Sequence, residues 1–205
     1  MKIICIGFNY GKHTDELQLI ERPAEPVIFM KPDSALLRGG NPFFPADWAN
    51  EWEYETELVV KICKLGRYID RKFAHRYYQE VGLGIDFTAR DLQRRLSAEG
   101  KPWECCKAFD GSAAICDRWL NKDSLGDIQN LHFRLEINGE TRQNGHTADM
   151  LWSVDEIIEY VSRFFTLKTG DLIFTGTPAG VGQVRIGDNL KGFLKDEEIL
   201  NVKVR

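Results

Sequence analysis

The sequence predicts an α+β fold with a dominant β core, and three observations predict it. Short runs rich in Val, Ile and Phe, bounded by Gly, Pro and Asn, outnumber the helical stretches. Strands and helices do not alternate regularly, which argues against a doubly wound parallel sheet. A chain of 205 residues with 43% hydrophobic content supplies one core, and so one domain over residues 1–205.

The elements follow in order. Lys2–Ile6 is an apolar strand broken at Gly7, and a polar stretch, Gly11–Glu25, holds a short helix or a mobile loop before Pro26. Val27–Met30 is a strand closed by Lys31 and Pro32, and Asp33–Pro45 is cut by Gly and Pro into short strands and turns. Glu55–Cys63 is a stronger strand. Asp70–Glu80 reads as a helix with Asp70 as its N-cap, Gly82–Thr88 as a strand, and Ala89–Glu99 as a polar helix. Leu131–Asn138 alternates apolar residues on one face, and Asn138-Gly139 turns it into a return strand, Glu140–Gln143. Ser153 and Glu156 form a capping box before an amphipathic helix carrying Ile157, Ile158, Val161 and Phe165. The last strands are Asp171–Thr175, Asp188–Leu194 and Ile199–Val204.

A net charge of −4 with no Lys/Arg cluster excludes a phosphate track for nucleic acid and a polybasic membrane contact. Five cysteines with no Cys-x-x-Cys pair indicate buried free thiols in a reducing compartment rather than disulfides or a zinc knuckle. The apolar run at Ile3–Ile6 is too short for a signal segment or a membrane span, and the expected location is the cytoplasm.

Chemistry concentrates in an acidic strand. Glu51, Glu53, Glu55 and Glu57 occupy every second position and would share one face of an extended strand. A solvated face is one reading. The other follows from Leu58-Val59-Val60, which carries the strand directly into an apolar run. Charges entering a core need a counter-ion, and a hard cation with oxygen ligands supplies one. Glu55 and Glu57 lie nearest the run. Asp86 ends another apolar strand just before a helical segment, as an N-cap or as a third ligand. Three carboxylates leave about three positions of an octahedral ion for water and a bidentate substrate. Mg²⁺ or Mn²⁺ suits such a set; Zn²⁺ does not, for lack of His or Cys nearby.

Other candidates are weaker alone. His13 and Glu16 are either a surface pair or, on a helix, a base and its orienting carboxylate. Lys107 is either a solvent-facing lysine on an alternating strand or a clamp for a substrate carboxylate. Residues Thr175–Gly182 lack the Gly-Lys-Ser/Thr of a P-loop, and their backbone N–H groups suit a carboxylate instead. His75, His132 and His146 have no ligand-like spacing and read as structural.

Taken in order, these segments resemble the fumarylacetoacetate hydrolase family, in its short, single-domain acylpyruvase and oxaloacetate decarboxylase branch. The matching stretches are Gly7–Tyr10 with His13 and Glu16, Glu25–Pro32, Tyr54–Leu58, Asp86–Gln93, Lys107–Phe109, Asn138–Glu140 with Gln143, and Thr175–Gly182. The resemblance implies a β-rich mixed roll, a homodimer, metal ligation by Glu55, Glu57 and Asp86, and substrate contact by Lys107. It implies that Thr177 and its loop line the pocket, that Arg90 and Gln93 have pocket roles, and that His13 and Glu16 sit on a lid of about residues 11–25. The chain departs from the commoner family pattern at Phe8, where many relatives carry Arg, and at Ala108, where Ser is frequent.

The implied activity is divalent-metal-dependent cleavage of C–C bonds in small 2-oxo acids, by acylpyruvate hydrolysis or oxaloacetate decarboxylation. Two rivals stand beside it. One is an isomerase or decarboxylase of 2-hydroxyhepta-2,4-diene-1,7-dioate type in aromatic catabolism; the other is a catalytically silent metal-binding homodimer.

Overall fold

The computed structural model describes residues 1–11, 23–38 and 40–205. Its largest sheet is built on β1 (Ile3–Gly7), β2 (Val27–Lys31), β3 (Leu36–Leu37), β5 (Thr56–Ile62), β6 (Tyr78–Asp86), β8 (Ala113–Ile115) and β12 (Leu172–Phe174). They run in the order β2-β1-β12-β5-β6-β8-β3, and β9 (Leu120–Asn121) joins β6 off this path. The β1–β12 and β3–β8 pairs are parallel and the others antiparallel, so the sheet is mixed. A second, antiparallel sheet joins β11 (Glu140–His146), β10 (His132–Ile137), β14 (Asn189–Leu194) and β15 (Glu197–Lys203). A small third one joins β13 (Gly182–Gln183), β4 (Trp52–Tyr54) and β7 (Thr88–Ala89). The β-rich α+β expectation holds.

Period-two alternation divides the core. Leu58 and Val60 on β5, with Leu83 and Ile85 on β6, face the larger apolar cluster, which they share with Leu135, Leu190 and Leu200 of the second sheet. Val59 points the other way and packs with Ile3, Cys5, Leu172 and Phe174. The backbone approaches closely at Gly84, where a Cβ would stand 2.5 Å from the Phe174 ring. Glu57 lies opposite Gly84 in register, and alternation puts Glu57 and Asp86 on the Val59 side. The functional side chains thus end the apolar floor of one sheet face.

Four short α-helices among the described residues complete the frame: α1 (Arg71–Ala74), α2 (Arg90–Ala98), α3 (Glu104–Lys107) and α4 (Val154–Phe164). The α4 capping box forms as expected, and Ile157, Ile158 and Val161 are buried. Asn138 and Gly139 both take positive φ, as the tight β10–β11 turn requires.

Three expectations need correction. The helix expected over Asp70–Glu80 is a single turn: Asp70 does cap it, through Lys72 N at 3.0 Å, but β6 begins at Tyr78. Pairing with β5 overrides the local helical pattern, because Tyr78 gains a ladder partner in Ile62. Cys63 and Cys105 are exposed, whereas Cys5, Cys106 and Cys116 are buried as free thiols. The return strand β11 runs on to His146, whose ring stacks on His132 across the ladder at 4.0 Å between centroids. Among the described residues no helix is long and apolar enough to cross a membrane.

Candidate metal centre

The acidic segment is not one continuous strand. Glu55 falls between β4 and β5, where the segment leaves the strand ladder for one residue. Helix α2 answers the like-charge row with arginines. Arg94 pairs with Glu51 at 2.6 Å, and Arg90 pairs with Glu53 at 2.6 Å while also gripping Glu55 and Gln93. Glu57 is left to enter the core.

There it meets the others. Glu55, Glu57 and Asp86 are all buried, each offering a carboxylate oxygen within 4.8 Å of the other two. Asp86 is not an N-cap: α2 is capped at Ala89, with no side-chain bond. Its fully buried carboxylate ends β6 instead, because the chain turns out of the sheet there into β7.

Lysines close the cluster. Lys107 is neither on a strand nor in solvent; it ends α3, and its ammonium donates to Glu55 Oε2 at 2.6 Å and Asp86 Oδ2 at 3.0 Å. Burial pulls the Lys107 pKa down, but the charges of Asp86 and Glu55 outweigh it and hold the group above the ordinary lysine value. Burial likewise opposes the charge on Arg90, and Glu55 and Glu53 overcome it. The Lys31 ammonium lies 2.7 Å from Asp86 Oδ1, with its hydrogen bonds directed to the Lys107 carbonyl and to Ser112.

Among the described residues Glu57 has no lysine of its own. Its carboxylate accepts from the Gly176 N–H at 2.6 Å, so the Gly-rich turn does bind a carboxylate, but one belonging to the protein. Burial, then the charges of Asp86 and Glu55, raise the Glu57 pKa well above the carboxylate range. Gly176 sits at φ +97°, and a Cβ there would stand 2.7 Å from Asn9 Cβ, so only glycine brings the amide this close. Asn9 fixes the turn by donating to the Thr175 carbonyl at 2.7 Å and accepting from Trp152 N at 2.8 Å. Gln143 braces the other side. It accepts from Thr56 N at 2.9 Å and donates to Thr177 Oγ1 at 2.8 Å, while Thr177 donates to the Thr56 carbonyl at 2.9 Å.

This donor set fits a hard divalent cation. Oxygens around one octahedral ion with ~2.1 Å bonds stand about 3–4 Å apart, and the three carboxylates place theirs within 4.8 Å of one another. Among the described residues, Asp86 Oδ1 is a buried acceptor that has the Lys31 ammonium nearby but no hydrogen bond aligned on it, and Glu57 is a buried acid held against two like charges. Both are arrangements that a cation relieves. Four carboxylates (Glu53, Glu55, Glu57 and Asp86) stand against three cations (Lys31, Lys107 and Arg90), so a dication leaves one net positive charge for an anionic ligand.

The structure therefore gathers Glu55, Glu57, Asp86, Lys107, Arg90, Gln93 and Thr177. His13 and Glu16 lie outside the described residues. Sequence reasoning assigned no role to Lys31, Ser112, Asn9 or Gln143. The available signal for Lys31 was an ammonium ending an apolar strand against Pro32, and for Gln143 a polar residue alternating into the buried side of β11.

The chain is similar to several known proteins. An oxaloacetate tautomerase of Escherichia coli is 40% identical over 190 residues, covering 92% of this chain and 86% of that protein. A mitochondrial oxaloacetate decarboxylase of Dictyostelium discoideum is 38% identical, over 93% of this chain and 87% of its own. The crystal structure of a fumarylpyruvate hydrolase from Pseudomonas aeruginosa, in complex with Mn²⁺ and pyruvate, superposes with a TM-score of 0.93 at 35% identity. It covers 100% of this chain and 89% of that one. The fumarylacetoacetate (FAA) hydrolase C-terminal family matches residues 2–205, and the chain belongs to that family.

Proposed function

We propose that this protein is a divalent-metal-dependent enzyme cleaving C–C bonds in small 2-oxo acids, by acylpyruvate hydrolysis or oxaloacetate decarboxylation. The observation that carries the reading is the convergence of three buried carboxylates beside the Lys107 ammonium. Glu55, Glu57 and Asp86 would hold Mg²⁺ or Mn²⁺. A cation bound there supplies positive charge against the enolate charge that builds on a 2-oxo acid when its C3–C4 bond breaks.

The side chains supply the rest. Lys107 has three donors, two of them spent on Glu55 and Asp86, and the third is available to a substrate oxygen. Lys31 and Arg90 fix Asp86 and Glu55, so the electrostatics are set before substrate arrives. Gln93 orients Arg90, and Thr177 with its loop forms a pocket wall. In acylpyruvate hydrolysis His13, oriented by Glu16, takes a proton from water as it adds to the distal carbonyl. The C3–C4 bond then breaks, the carboxylic acid leaves, and C3 takes up a proton to give pyruvate. In oxaloacetate decarboxylation no water is needed: CO₂ leaves, and C3 is protonated. The protein acts as a cytoplasmic homodimer in this reading.

A second reading is favoured by the 40%-identical relative named as an oxaloacetate tautomerase. Enol–keto exchange passes through the same enolate and breaks no C–C bond. A panel of acetylpyruvate, oxaloacetate and 2-hydroxyhepta-2,4-diene-1,7-dioate, each with Mn²⁺, with Mg²⁺ and with EDTA, separates the readings. Acid or CO₂ release that EDTA abolishes is expected. Loss of the enol absorbance with no cleavage product would assign tautomerisation, and isomerised dienedioate would assign the aromatic-catabolism branch. Full activity in EDTA would overturn the metal requirement, and silence across the panel would leave a binding protein.

A further inference from the structure

The metal centre has a polar side, made by Lys31 and Arg90, and an aromatic side. Phe29 shares a face of β2 with Lys31, two residues on, and the Lys107 ammonium lies 5.5 Å from its ring centroid. Trp103 packs edge-on against Phe29 at 5.9 Å between centroids, and its carbonyl accepts from Lys107 N at 2.9 Å, so the residue is tied to the turn that carries the ammonium. Phe8 packs edge-on against Trp103 at 6.1 Å. All three rings are only half-buried.

Phe8 is held there at a conformational cost. Its φ of 60° is one that a bulky residue rarely adopts. The neighbours enforce it: Gly7 is paired with Val27 in the β1–β2 ladder, and Asn9 is locked to Trp152 and Thr175. Strain kept by its surroundings next to a reactive centre points to a use for the ring. The cations of the described residues are committed: Lys31 and Arg90 are engaged by Asp86, Glu55 and Glu53, and the one donor that Lys107 keeps serves the 2-oxo acid end of the ligand, so among the described residues none is reserved for a second carboxylate.

We propose that Phe8, Phe29 and Trp103 form the recognition wall for the distal group of the substrate, so that the site selects 2-oxo acids bearing an apolar, aryl-sized group over those bearing a second carboxylate. The inference rests on the 2-oxo acid reading above and narrows it. Aromatic faces recover buried apolar area and edge-to-face contact from an aryl or branched alkyl group, whereas a carboxylate would be desolvated against them without a partner.

The test is calorimetric binding to the Mn²⁺-loaded protein, using two ligands that lack a cleavable 1,3-dicarbonyl. These are 2-oxo-4-phenylbutanoate and 2-oxoglutarate. The wild type is expected to bind the phenyl ligand roughly tenfold more tightly. Phe8→Gly removes the ring while relieving the backbone, so misfolding cannot mimic its effect. It should cut that preference severalfold with 2-oxoglutarate affinity unchanged, and Trp103→Leu should do the same from the other side. Equal or stronger binding of 2-oxoglutarate by the wild type, a preference unmoved by Phe8→Gly, or no binding of either ligand would each overturn the proposal. If the preference stands while acylpyruvates and oxaloacetate are not turned over, the wall survives and the reaction assigned above fails.

Discussion

Asp86→Asn is expected to lower kcat/KM on the preferred 2-oxo acid by about a thousandfold, the largest effect of any single side chain in the described site. The substitution keeps shape and removes charge. Asp86 is the carboxylate that Lys31 and Lys107 both approach, and it is fully buried. Neutralising it weakens the grip on a dication and leaves two buried ammoniums short of a partner. Breaking a buried pair by removing one member costs about 3–5 kcal/mol of stability. Urea unfolding should therefore show the loss even in EDTA, where no metal contributes. Steady-state kinetics across a Mn²⁺ series gives the other half: saturating Mn²⁺ should restore little, because Lys31 and Lys107 then add uncompensated positive charge at the metal position. Recovery of wild-type kcat/KM at high Mn²⁺ would show that Asp86 contributes affinity alone.

Lys107→Met is expected to cost about a hundredfold or more in kcat/KM, falling mainly on kcat, because the missing charge is needed most where negative charge develops. Its stability signature has the opposite metal dependence. Without a cation, Lys107 is what separates the charges of Glu55 and Asp86. Removing it leaves Glu55 to Arg90 alone and Asp86 to Lys31 alone, again at about 3–5 kcal/mol. A dication takes over that neutralising task, so Mn²⁺ should stabilise the Lys107→Met variant by more than it stabilises the wild type. Thermal melts of both proteins in EDTA and in Mn²⁺ read this directly. Equal metal-induced shifts would mean that Lys107 and the cation do not share the same carboxylates.

Much of this was legible in the sequence, and for identifiable reasons. β-Strands reveal themselves when alternation is clean, as in His132–Ile137, and α4 announces itself through Ser153 and Glu156. The three carboxylates were visible because acids running into Leu58-Val59-Val60 and at the end of an apolar strand conflict with burial unless something neutralises them. What stayed hidden depends on contacts remote in sequence. The helix over Asp70–Glu80 failed because strand pairing with β5 decides the fate of Tyr78. The break at Glu55, and the capture of Glu51, Glu53 and Glu55 by Arg90 and Arg94, depend on where α2 docks. Lys31 is 76 residues from the Lys107 carbonyl that it meets, and Gln143 is 87 from Thr56. No local pattern encodes such pairs. Fumarylacetoacetate hydrolase family membership, by contrast, was readable from the order of several short motifs, each weak alone.

The central claim is that Glu55, Glu57 and Asp86 together hold one dication. Burial and two like charges raise the Glu57 pKa in the metal-free protein, so it keeps a proton above the usual carboxylate range. A carboxyl with a raised folded pKa favours folding below its ordinary value, and that contribution fades as pH rises through the raised one. Metal binding must displace the same proton, so Mn²⁺ affinity should climb across that window. Titrating Mn²⁺ into the metal-free protein by calorimetry, in two buffers of different ionisation enthalpy, tests this directly. The expected result is one Mn²⁺ per chain with proton release that Glu57→Gln abolishes; absence of Mn²⁺ uptake, or uptake indifferent to Glu57 and Asp86, would contradict it.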